Sequence, residues 1–152
     1  MNRNLIKQVE YENWANILIL SALPKVTDDE RVLFLFSHIL SVHAMWLNRL
    51  KGEPLTCTLF ESRTPDVCAK LIEENTEGWT AYFNTADATE LERMLHYVNP
   101  HDGSRRKMVV EDIIIQIFGH SCYHRGQIVA RMKGKVEPLP NTTYIAFASQ
   151  PD

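Results

Sequence analysis

The stretch Val110–Lys133 has the apolar spacing of one long helix and carries two histidines, His120 and His124, four residues apart. The apolar positions on the same predicted face are Ile113, Ile117 and Ile128. Both imidazoles should therefore point toward the protein interior, stacked one helical turn apart, where two ring nitrogens can converge on one cation. No acidic residue follows His120 as in a zinc-protease helix, so that chemistry is not indicated.

A third protein ligand must come from another element, because a catalytic metal site normally has three protein ligands and one open position. The predicted second helix supplies two candidates, His38 and His43. Five residues of helix place them about 140° apart, so both cannot face the same pocket, and periodicity alone leaves the choice open. Imidazole suits zinc, nickel, iron and copper, so these ligands predict a divalent transition metal without naming it.

Four long helices are predicted from apolar periodicity and from start and stop signals. The first spans about Asn4–Leu23, the second runs from Glu30 to Lys51 and stops at Gly52, the third begins with Thr64 as N-cap and Pro65 in its first turn, and the fourth is Val110–Lys133. The aperiodic stretch 53–63 predicts a long connection that lets the second and third helices run parallel. The expected fold is an all-α four-helix bundle with a long crossover between helices 2 and 3.

Shorter elements are predicted between and after these helices. Residues 95–99 and 105–109 flank an Asp-Gly turn, which predicts a short hairpin; an irregular loop over the end of the bundle is the alternative. Gly78 should weaken the third helix without ending it. The segment YIAF, which follows Pro138 and Pro140, is expected to lie extended across the surface.

The composition bounds the function. The chain has 152 residues, which predicts one domain over 1–152, and a formal charge of −3 gives no basic footprint for nucleic acid. Neither a signal peptide nor a membrane span is recognisable, so a cytoplasmic protein is expected. The three cysteines contain no CxxC pair; Cys57 and Cys68 are predicted to be structural thiols, and helical rotation should turn Cys122 away from the histidines.

Four segments, YENWAN, HILSVHAMWLNRL, GHSCYHRGQI and LPNTTYI, resemble in order the recurring segments of the DinB-like proteins, a superfamily of DNA-damage-inducible four-helix bundles. The HxxxHRGQ element is the most specific part. The resemblance implies a divalent metal held by His38, His120 and His124. The family pattern often has an acid where His43 stands and an aspartate where Thr143 stands, which leaves His43 as a substitute ligand or as a group that supports a ligand.

The resemblance also implies a reaction class. A three-histidine cation with an open position can lower the pKa of bound water to about 7 or deprotonate a bound thiol. The expected function is a metal-dependent thiol S-transferase or hydrolase that acts on a small molecule, such as a low-molecular-weight thiol, and works as a homodimer. A non-catalytic stress-response bundle, in which the cation ties helices 2 and 4 together, is the alternative. No catalytic base emerges, because Glu111 and Asp112 suit the helix dipole instead.

Several residues near the histidines have a predicted structural role. Arg125 should pair with acids on a neighbouring helix or partner subunit, and Gln127 should hydrogen-bond a ligand histidine. Gly126 suggests close approach of another backbone. His43 and His96 are more simply core residues, and His101 should be exposed in the hairpin turn. The residues Trp14, Trp46, Trp79 and Tyr123 are expected to be core or interface aromatics.

Overall fold

The computed structural model describes residues 2–149, and this part of the chain is mostly helical with one small antiparallel sheet. Its α-helices are α1 (Asn2–Ala22), α2 (Glu30–Lys51), α3 (Pro65–Thr85), α4 (Ala88–Glu92), α5 (Val110–Met132) and α6 (Tyr144–Ala148), and its strands are β1 (Met94–Val98) and β2 (Arg105–Val109). A 3-10 turn, Leu23–Lys25, follows α1. Within residues 2–149, no helix is both long enough and apolar enough to cross a membrane.

Of the two helices that carry the histidines, α2 has the predicted limits, and α5 ends at Met132, one residue earlier than predicted. Gly52 follows α2 with φ of +69°, a left-handed conformation that glycine adopts without steric cost, and the amide of Glu53 donates to the carbonyl of Asn48 at 2.8 Å. The start of α3 is as predicted, because the Thr64 side chain accepts a hydrogen bond from the backbone amide of Val67. Local sequence signals therefore determine where these helices begin and end.

Contacts between α2 and α3 join residues in rising order along both helices. Oγ of Ser37 lies 3.7 Å from Sγ of Cys68, and the side-chain Nδ2 of Asn75 donates to the backbone carbonyl of Leu40 at 2.9 Å. The two helices therefore run parallel, and residues 52–64 carry the chain back along them, as predicted.

Contacts between α2 and α5 run in the opposite order. Asp29, just before α2, forms a 3.0 Å ion pair with Arg131 near the end of α5, whereas His43, further along α2, lies beside Ser121 in the middle of α5. The two helices are therefore antiparallel, and this orientation brings the centre of α2 against the histidines of α5.

The buried apolar side chains form two clusters, and buried polar residues lie between them along the helices. One cluster includes Ile19 of α1, Ile72 of α3 and Ile128 of α5; the other includes Val9 of α1, Trp79 of α3 and Ile117 of α5. The buried polar residues at the intervening positions are Glu12, Asn16, Asn75, Ser121 and Arg125. We call these five residues, together with buried His43, the polar layer. His120 and His124 also lie between Ile117 and Ile128 of α5, and therefore between the two apolar clusters.

The predicted hairpin is present, and the irregular-loop alternative is wrong. Leu95 pairs with Met108, and Gly103 in the turn has φ of +69°. The extended prediction for YIAF is wrong, because this segment forms α6. Helical spacing places the rings of Tyr144 and Phe147 on one face, with centroids 5.1 and 5.7 Å from that of Tyr11.

Two predictions about individual residues are also wrong. His96 is exposed on β1 and does not belong to the core. Tyr123 is 66% exposed, so of its two predicted positions, core or interface, the core is excluded. A Cβ atom at Gly126 would meet no neighbour within 4 Å, so no described backbone approaches it. The close approach occurs at Gly78 instead, where a Cβ atom would lie 2.5 Å from Cδ2 of Leu47. Among the predicted core aromatics, Trp46 and Trp79 are buried and Trp14 is half-buried.

Candidate metal centre

His38 of α2 meets His120 and His124 of α5. One ring nitrogen from each residue lies within 4.8 Å of the other two. The ring centroids are 4.9 Å apart for His38 and His120, 5.2 Å for His38 and His124, and 4.4 Å for His120 and His124. All three side chains are half-buried. The structure therefore brings together the three histidines that the family resemblance implies as ligands, and this group could hold a metal ion.

The separation of two of the nitrogens suits a shared cation. The Nε2 atoms of His38 and His120 are 3.1 Å apart. Two nitrogens bonded to one zinc ion at 2.0–2.1 Å and tetrahedral angles lie about 3.3 Å apart. These two imidazoles therefore already have nearly the spacing that a common metal requires.

Hydrogen bonds at Nδ1 orient two of the three rings. Nδ1 of His38 lies 2.9 Å from the carbonyl oxygen of Leu59, and Nδ1 of His124 lies 2.7 Å from Oε1 of Gln127. Both acceptors require a proton on Nδ1, which leaves the lone pair on Nε2 for a metal. The predicted hydrogen bond of Gln127 is confirmed. Nδ1 of His120 is buried and has no hydrogen-bond partner among residues 2–149.

The surroundings of His38 and His120 favour neutral imidazoles. Burial lowers the pKa of His120 to about 3, with further lowering by His124 and His38. Burial also lowers the pKa of His38, although the hydrogen bond to Leu59 opposes it. A metal ligand must be deprotonated, so these side chains can offer lone pairs at neutral pH without first losing a proton.

A cavity of about 200 Å³ opens beside His38 and His120. Its walls are mainly apolar and aromatic, and they include Trp46 and Tyr97, whose ring centroids are 5.0 Å apart. Phe60, from the connection between α2 and α3, stacks on His38 at a centroid distance of 5.3 Å. A small molecule in this cavity would contact two of the three histidines, His38 and His120.

His43 points away from the cluster and belongs to the polar layer. Its Nε2 lies 2.6 Å from Oγ of Ser121 and 3.7 Å from a carboxylate oxygen of Glu12. Burial lowers the pKa of His43 to about 4, and Glu12 opposes this shift only in part. His43 is thus a hydrogen-bonded core residue, as one of its two predictions states. It does not belong to the three-histidine group.

Arg125 follows His124 in sequence but makes a different set of contacts. Its guanidinium donates to both carboxylate oxygens of Glu12, at 2.6 and 2.8 Å, and the Arg125 residue is 1% exposed. The predicted pairing of Arg125 with an acid on another helix is confirmed. Sequence reasoning missed Glu12, although this acid and Asn16 continue the helical spacing of the apolar face that contains Val9.

The remaining candidate residues lie outside the cluster. Burial raises the pKa of the thiols of Cys57 and Cys68, which suits structural thiols. Cys122 is exposed, with its Sγ 3.6 Å from the hydroxyl of Tyr11. His101 is exposed, as predicted, and its ring centroid is 5.4 Å from that of Phe60. Glu111, Asp112 and Thr143 lie at helix starts, the first two in the first turn of α5 and the third before α6.

The model of the DinB family matches residues 1–151, which is nearly the whole chain. The matched range includes α2 and α5 and so contains all three histidines. Comparison with curated proteins gave no match, and comparison with solved structures gave none either.

Proposed function

The chain belongs to the DinB family, and from this membership and the histidine cluster we propose that it is a metal-dependent enzyme, a thiol S-transferase or a hydrolase. The metal ligands in this proposal are His38, His120 and His124. The observation that carries it is the convergence of one ring nitrogen from each residue within 4.8 Å, across two helices. A divalent cation bound there would supply Lewis acidity toward water or a small thiol.

The protein's own groups would prepare the site for that cation. The Leu59 carbonyl and the Gln127 side chain would hold the His38 and His124 rings with Nε2 facing inward. Neutral imidazoles would leave the charge of the cation uncompensated, which favours an anionic reactant. The cavity beside His38 and His120 supports a catalytic role over the non-catalytic alternative, because a purely structural site needs no adjoining space for a ligand.

The architecture is part of the proposal. We propose a single-domain four-helix bundle built from α1, α2, α3 and α5, with a crossover between α2 and α3, and we propose that it forms a homodimer. The outer face of α5 supports the dimer, because Ile115 and Tyr123 are 65% and 66% exposed there. Sedimentation equilibrium of the wild-type protein and of Ile115→Glu tests this: a dimer that the substitution dissociates is expected, and a wild-type monomer would refute it.

Metal content tests the site. The wild-type protein, loaded with zinc and dialysed, should retain about one ion per chain, and alanine variants of His38, His120 and His124 should each lose it. His96→Ala is the matched control, since His96 is exposed on β1 away from the cluster. Retention of stoichiometric zinc by His38→Ala would refute the assignment of that ligand. Turnover assays that combine small thiols with electrophiles, or that offer hydrolysable esters and amides, then separate the two reaction classes.

A further inference from the structure

The cavity beside the histidines also contains Arg49, and we infer that this guanidinium forms an anion subsite. The ligand would carry a carboxylate that binds Arg49 and, at its other end, a group that reaches the metal. This inference rests on the proposed function and names the substrate class for the same site: an elongated molecule with an acidic end.

The spacing along α2 places Arg49 and His38 on one wall of the cavity. The two residues are eleven positions apart, so they differ by only about 20° in rotation about the helix axis and lie roughly 16 Å apart along it. Met45, between them, lines the same cavity. Helical side chains lean toward the N-terminus, so Arg49 and His38 lean in the same direction and their end groups stay well apart. A ligand between the two groups must therefore be elongated.

Two aromatic rings and one backbone carbonyl hold the guanidinium of Arg49 in position. Its central carbon lies 5.0 Å from the ring centroid of Trp46 and 5.3 Å from that of Tyr97. Nη2 donates to the carbonyl of Val98 at 2.9 Å. Stacking of this kind orients a guanidinium without neutralising its charge.

The charge of Arg49 has no acidic partner. No carboxylate among residues 2–149 lies within ion-pair distance of it, and its Nη1 is buried without a hydrogen-bond acceptor in the same part of the chain. Burial lowers the pKa of Arg49, the direction expected for a cation withdrawn from water. The Arg49 side chain is only half-buried and lines the cavity, so a ligand carboxylate there would supply the opposite charge that the protein does not provide.

The rest of the cavity reinforces this preference. Its described lining contains neither aspartate nor glutamate, and Arg49 is the permanently charged side chain in it. A divalent cation on the histidines would add positive charge at the opposite end. An anionic ligand is therefore favoured along the whole length of the cavity, and Trp46 and Tyr97 would contact its apolar middle.

Binding of probe thiols to the cobalt-loaded protein tests the inference. Mercapto carboxylic acids of three to eleven carbons would be compared with mercapto alcohols of equal length, by calorimetry and by the visible absorption of Co²⁺. In the wild type, the longer acids should bind at least about tenfold more tightly than the matched alcohols. This difference should disappear in Arg49→Gln and persist in part in Arg49→Lys, which keeps the charge but not the planar fork.

The outcomes separate the subsite from the metal site. Equal affinities for acids and alcohols in the wild type, no binding of the longer acids, or an equal loss of both series in Arg49→Gln would overturn the anion subsite while leaving the metal site intact. A preference that is greatest for the shortest acid would also overturn it, because that pattern indicates chelation of cobalt by the carboxylate. Failure of the wild type to take up cobalt would instead refute the proposed function, and the subsite inference with it.

Discussion

Gln127 offers a direct test of how the protein orients its metal ligands. In Gln127→Leu, Nδ1 of His124 loses the acceptor that lies 2.7 Å away, while the size of the side chain is nearly kept. The imidazole can then rotate or adopt the other tautomer. Loss of such a supporting hydrogen bond typically lowers metal affinity by 10 to 100-fold, or about 1.4–2.7 kcal/mol. Gln127→Glu should bind metal at least as tightly as the wild type, since a carboxylate is a stronger acceptor.

The assay is competition for zinc between the protein and a chromophoric chelator at constant pH. Gln116→Leu is the matched control, because Gln116 is a glutamine on the same helix that lines the cavity but, among residues 2–149, makes no hydrogen bond to any of the three histidines. Its zinc affinity should equal that of the wild type. Unchanged zinc affinity in Gln127→Leu, or an equal loss in Gln116→Leu, would show that the hydrogen bond does not support the ligand.

Three further predictions concern stability, measured by urea unfolding. Arg125→Met leaves the buried carboxylate of Glu12 without its cation and should lower the free energy of unfolding by about 3–5 kcal/mol, whereas Glu12→Leu combined with Arg125→Met should recover most of it; an equal loss in the double variant would contradict this. The pKa of His43 falls from 6.5 to about 4 in the folded protein, so the unfolded chain takes up this proton first on acidification. His43 should therefore lower the free energy of unfolding by roughly 3 kcal/mol between these pH values, in addition to the contribution of His120, and the slope should be shallower in His43→Gln. Gly78→Ala should destabilise by about 1 kcal/mol despite its better helix propensity, because its Cβ atom would press on Leu47; a stabilised variant would show that Leu47 moves freely.

The features that the sequence predicts well depend on short stretches of chain. The limits of α2 follow from its apolar run and from Gly52, and the start of α3 follows from Thr64 and Pro65. The pairing of His120 with His124 is a property of helical spacing alone. Helical spacing alone does not decide between His38 and His43, because it shows only that both cannot face the same site. The family resemblance implies His38, and the geometry agrees with that choice.

The features that the sequence does not predict depend on contacts between distant segments. Nothing local distinguishes Gly126, which has open space around it, from Gly78, which Leu47 of another helix approaches. The acceptor for His38 is a backbone carbonyl at Leu59, whose position depends on how an aperiodic connection folds back. The helical form of α6 depends on aromatic packing against Tyr11, more than 130 residues away.

The polar layer gives α5 a defined rotation about its axis. Apolar packing is not directional, and the clusters above and below this layer would tolerate small rotations of the helix. The bonds from Arg125 to Glu12 and between Ser121 and His43 are directional, at 2.6 to 2.8 Å. Because adjacent helical residues differ by about 100°, the rotation that directs Arg125 toward Glu12 on α1 also directs the preceding residue, His124, toward α2. Burial of these polar groups has an unfavourable desolvation free energy. Their hydrogen bonds nevertheless fix the rotation of α5 and, with it, the orientation of the histidine cluster.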